Sequence, residues 1–86
     1  MIQNYVPLIH AIIDALLFLE DAGPNEVDPD SAVRCMENIA ASLHALDRSN
    51  QLALRAHFES LATESQDPAY AKLVRRLPDD IGLASS

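Results

Sequence analysis

The polar positions of the amino-terminal segment fall on one narrow stripe. From Tyr5 to Leu19 only Pro7, His10 and Asp14 interrupt a run of apolar residues. Gln3, His10, Asp14 and Asp21 recur at spacings of seven, four and seven. Such spacing puts them on one side of a helix and leaves the remainder apolar. The pattern predicts a helix over about 5–20, with Pro7 in its first turn, where a missing N–H does little harm. Ala22-Gly23-Pro24-Asn25 ends it, with Gly23 near the cap and Pro24 just beyond. In a short chain a helix this apolar belongs at the centre of a bundle or in the seam of a homodimer. Ile9, Ile12, Ile13, Leu16 and Leu17 are the candidate core or dimer face.

Three further helices follow. Asp28 can cap and Pro29 can open a helix over 29–46, with Asp30 favoured by the dipole of its first turn. Its apolar stripe runs through Ala32, Val33, Met36, Ile39, Ala40, Leu43 and Leu46. Asp47 caps a helix over 48–64, whose stripe is Leu54, Phe58, Leu61 and Ala62, with Leu52 on another side. Asp67-Pro68 repeats the start signal for a short helix over 68–77. That helix carries Tyr70, Leu73, Val74 and Leu77 on one face, and Pro78 is expected to stop it. Ile81 and Leu83 are expected to pack back on the bundle. No strand pattern and no internal repeat occurs. The expectation is a single all-α domain over 1–86, a small antiparallel bundle of three main helices and a short fourth.

Composition sharpens this picture. A chain of 86 residues buries a limited share of its surface and needs tight helical packing or a second copy. The net charge is −7, and residues 1–30 contain no Lys or Arg. Phosphate backbones repel such a surface, so nucleic acid is an unfavourable partner, whereas a basic protein is a favourable one. Cys35 is the one cysteine, which excludes an internal disulfide and a cysteine-based zinc site. The apolar run lacks a preceding basic region and is too short to cross a bilayer. The reading is a cytoplasmic protein without membrane contact.

Candidate chemistry is sparse. His10 and Asp14, four apart on one helix face, could orient an imidazole for proton transfer, but a polar pair along an exposed stripe is the default. Asp28 and Asp30 resemble the start of a calcium loop. Val33 and Ile39 occupy the places of its Gly and Glu, so calcium is not expected. Cys35 has no evident base nearby and is expected to be a buried, inert thiol. Lys72, Arg75 and Arg76 cluster near a helix end, where cations suit the dipole. A helix–turn–helix over 29–64 lacks a basic recognition face. No phosphate loop and no nucleophile elbow is present. No cofactor, metal or catalytic group is therefore assigned. The acidic stretch Glu20, Asp21, Glu26, Asp28 and Asp30 is the candidate docking surface for a cationic protein partner.

Several short motifs carry a resemblance. They are Asp28-Pro29, Glu37-x-Ile39-Ala40, Leu43-x-x-Leu46, Phe58-x-x-Leu61-Ala62-x-Glu64, Asp67-Pro68-x-Tyr70 and Leu77-Pro78-x-x-Ile81-Gly82-Leu83. Through them the chain resembles small acidic all-helical bacterial proteins, most of unknown function. In size, acidity and helical design it is similar to immunity proteins of bacterial toxin systems, including small dimeric ones of type VI secretion. The resemblance implies a helical, non-enzymatic binding protein that neutralises a toxin by binding the toxin's basic surface. The alternative is a small regulatory or adaptor subunit that presents a helix face. No site residue is carried over.

Overall fold

The computed structural model describes residues 4–85. They form α1 (Val6–Asp21), α2 (Pro29–His44), α3 (Arg48–Glu64) and α4 (Pro68–Asp80), with no strand among the described residues. Three starts follow the Asp signals. The Asp28 carboxylate accepts from Ser31 N–H at 3.0 Å, Asp47 from Asn50 N–H at 2.8 Å, and Asp67 from Ala69 N–H at 3.0 Å. Each satisfies a helix amide that has no partner within its own helix. At α1 the corresponding acceptor is the Asn4 side chain, 3.1 Å from Val6 N.

One contiguous core joins Ile9, Ile13 and Leu16 of α1, Leu54, Phe58 and Ala62 of α3, and Ala71, Val74 and Leu77 of α4. Ile81 and Leu83 close it from the carboxy-terminal side, and Ile12 and Leu17 pack at its margin. The main neighbours of α1 are α2 and α4, and α4 lies against α3. The amino-terminal helix is therefore flanked and not enclosed. Its far side, Leu8, Ala11, Ala15 and Phe18, faces solvent.

Four boundaries or placements differ from expectation. First, α2 ends at His44, two residues early, because Ala45 and Leu46 turn back onto Ser42 and Leu43. Leu46 is consequently exposed. Second, Val33 is 55% exposed, because α2 covers only Ala32 fully and keeps Met36, Ile39, Ala40 and Leu43 half-buried. Third, Gly23 adopts no positive φ; α1 ends instead on an extended Ala22.

Fourth, Pro78 does not stop α4. The helix runs through it to Asp80, and Pro78 itself is buried in the core. Proline forfeits only one backbone bond here, in the last turn. The end comes four residues later, at Gly82. Its φ of +72° is the left-handed conformation that glycine adopts freely. Gly82 N–H donates to Asp79 O at 3.1 Å and Leu83 N–H to Pro78 O at 2.9 Å. This pair of bonds is the Schellman cap, with buried Leu83 and Pro78 as its apolar contact.

The segment after the cap is held by side chains from α2 and α3. His44 Nε2 lies 2.8 Å from Ile81 O and 3.0 Å from Gly82 O. Both oxygens only accept, so Nε2 carries the proton. Arg55, largely covered, donates to Leu83 O and Ala84 O at 2.8 Å each and pairs with Asp79 at 3.0 Å. Gln51 accepts from Ala84 N–H at 3.0 Å, and Arg48 reaches Ser85 O at 2.8 Å. Positions 44, 48, 51 and 55 thus form one continuous latch over the chain's last described turn.

Candidate docking site

At the carboxy-terminal end of α1 the chain turns sharply toward α2. Gly23 O accepts from Glu26 N–H (2.9 Å) and Val27 N–H (3.1 Å), and the Glu26 side chain returns a bond to Gly23 N–H at 3.3 Å. This turn sets the start of α2 beside the end of α1 and leaves an open groove of about 460 Å³. Leu19 of α1, the following Ala22, and Ala32, Val33 and Met36 of α2 supply its apolar surface. Glu20, Arg76 and Asp80 supply its polar edge.

That edge is an ion-pair network. The Arg76 guanidinium donates to Glu20 Oε1 and lies 3.6 Å from Asp80 Oδ2. The hydrogen bond to Glu20, then its charge, hold the guanidinium above its ordinary pKa, so Arg76 is cationic at every accessible pH. The second Glu20 oxygen, Oε2, is buried and has no hydrogen-bond partner among the described residues. A carboxylate oxygen left in that state lacks a donor it would bond strongly.

A smaller hollow of about 310 Å³ adjoins the groove and shares Ala22 with it. Leu17, Phe18, Asp21 and Glu26 complete its walls. The two hollows together carry Glu20, Asp21, Glu26 and Asp80 against Arg76 alone. This end of the molecule is therefore acidic above an apolar surface.

The five acids singled out from sequence separate into distinct roles. Glu20 lies in the groove and Asp21 and Glu26 in the adjoining hollow. Asp28 is engaged in capping α2, bonding both the amide and the hydroxyl of Ser31. Asp30 is exposed in the first turn of α2. Sequence reasoning missed Arg76 and Asp80 as members of this end. Their spacing of four was the available signal, but ending the helix at Leu77 put Asp80 off it.

Other candidates stand apart. His10 and Asp14 are both exposed on α1, with no hydrogen bond or ion pair between them. Cys35 is exposed, contrary to the expected buried thiol, because α2 turns that face to solvent. Lys72 and Arg75 are exposed away from the groove, and of the basic cluster Arg76 lines it. Among the described residues no group of three or more His, Cys, Asp or Glu is placed to hold a metal ion. No described helix is long and apolar enough to cross a membrane. No protein-family model matches the chain, and the comparisons with curated proteins and solved structures likewise gave no match.

Proposed function

We propose that the chain is a non-enzymatic protein-binding module. Its acidic end receives a cationic, partly apolar segment of a protein partner. The observation that carries this reading is the groove itself: exposed Val33 and half-buried Met36 and Leu19 beside an excess of carboxylates. An apolar anchor gives most of the affinity in such interfaces, and charge speeds and orients the encounter. A toxin with a basic active-site cleft is the concrete partner, which makes the module an immunity protein. An antiparallel order of the four helices and a two-copy assembly on α1 belong to the same reading.

The test uses the full chain as bait, beside a Val33→Asp variant and an Asp21→Asn/Glu26→Gln/Asp30→Asn variant. The expected captured protein is basic, is retained less at high salt, and is lost with Val33→Asp. Capture that ignores both variants removes the groove from the interface. Co-expression with the captured protein then separates two roles. Rescue of growth identifies immunity, and a change in the partner's own activity without rescue identifies an adaptor subunit.

A further inference from the structure

The outer face of α1 is a second apolar surface, separate from the main groove, although Phe18 also walls the adjoining hollow. Leu8, Ala11, Ala15 and Phe18 recur at spacings of three, four and three, which is the seam of a helix that packs against another helix. They lie opposite Ile9, Ile13 and Leu16, which the fold buries. Leu8 is 45% and Phe18 54% exposed, and both alanines are exposed. Of the face assigned from sequence to the core or a dimer seam, Ile9, Ile13 and Leu16 belong to the chain's own core. The uncovered seam lies on the opposite side of the helix.

We infer that a second copy of this chain covers that seam, with the two α1 helices antiparallel about a two-fold axis. The chain exposes 5800 Å², whereas a folded monomer of its 9.4 kDa exposes about 5,000 Å². The chain therefore exposes more surface than a compact monomer of its mass. The radius of gyration agrees: 13.1 Å against about 12 Å for a compact chain of this length.

The order of side chains favours self-association over a foreign helix. The seam reads large, small, small, large. An axis passing between Ala11 and Ala15 sets Ala11 against the second copy's Ala15 and Leu8 against its Phe18. A two-fold interface requires this self-complementarity. The alanines let the backbones approach to the short end of the usual 8–10 Å helix separation. Leu8 and Phe18 then close the seam at its two ends. The inference deepens the two-copy part of the proposed reading and does not depend on what occupies the groove.

Sedimentation equilibrium of the full chain under reducing conditions tests it. The wild type is expected at twice the 9.4 kDa chain mass. Ala15→Glu, at an exposed position, is expected at the mass of one chain with unchanged helical circular dichroism. Two chains of charge −7 repel, so self-association tightens as salt rises, whereas capture of a basic partner weakens. Failure of one reading is thereby distinguishable from failure of the other. Register is read by oxidising an equal mixture of Ala11→Cys and Ala15→Cys chains, both carrying Cys35→Ser. The cross-link expected joins unlike chains. A monomeric wild type, a dimer that survives Ala15→Glu, or cross-links confined to like chains would overturn the inference.

Discussion

The half of the molecule built from α3, α4 and the carboxy-terminal segment closes on itself; the half built from α1 and α2 does not. In the first, every large apolar side chain of the α3 and α4 stripes is buried or half-buried, and the latch from His44 to Arg55 ties down the last turn. In the second, α1 is the more apolar helix yet leaves Leu8 and Phe18 in solvent, and α2 fully covers only Ala32. The difference shows that apolar content does not determine which helix anchors a fold. Burial depends on how closely the neighbours pack, and the most extensive helix pairing in the molecule is that of α3 with α4. Surface left over in the open half is where the proposed second copy and the proposed partner would bind.

The strongest challenge to this contrast is truncation of the largest fully buried side chain, Phe58. Phe58→Ala should remove about 3–5 kcal/mol, a large part of what a small domain has in total. Met36→Ala in the open half should lose less than about 2 kcal/mol, the lower edge of the range for fully buried sites. Urea unfolding of the two variants measures both, and equal losses would erase the distinction between the halves.

A smaller effect tests the latch. Gly82→Ala should destabilise by about 1–2 kcal/mol, because a side chain at positive φ strains the backbone. The added Cβ would also lie 3.2 Å from His44 Nε2, tighter than ordinary contact. An unchanged midpoint in denaturant would mean that the cap is not holding the last turn. The smallest effect belongs to the groove. Val33→Ser should alter stability by no more than about 0.5 kcal/mol, as exposed positions do. A larger thermal shift in the isolated chain would show that Val33 is structural and not a free anchor.

Much of this was legible in the sequence, and the misses have specific physical causes. The three Asp caps and the start of every helix followed from local chemistry, because a capping carboxylate and its amide lie within three residues of each other. The inward residues of α3 and α4 followed from periodicity. The end of α4 did not, since Pro78 is a strong local stop signal that the core overrode by burying it. His44, Gln51 and Arg55 were illegible as a latch because their partners lie between 28 and 38 residues away. At the candidate site the acids of α1 and the following turn were visible as a charge block. Arg76 was not, because only the packing of α4 against α1 brings it to Glu20.

The open thiol of Cys35, on the outward side of α2, has a consequence for handling the protein. In air, two chains can be joined covalently through it, giving an artefactual species of doubled mass unrelated to α1. The same residue accepts a maleimide dye in one-to-one stoichiometry, since no other sulfhydryl competes. It is the immediate chain neighbour of Met36 in the groove wall. A fluorophore there would report occupancy of the groove as a change in emission, with no need to engineer a labelling position.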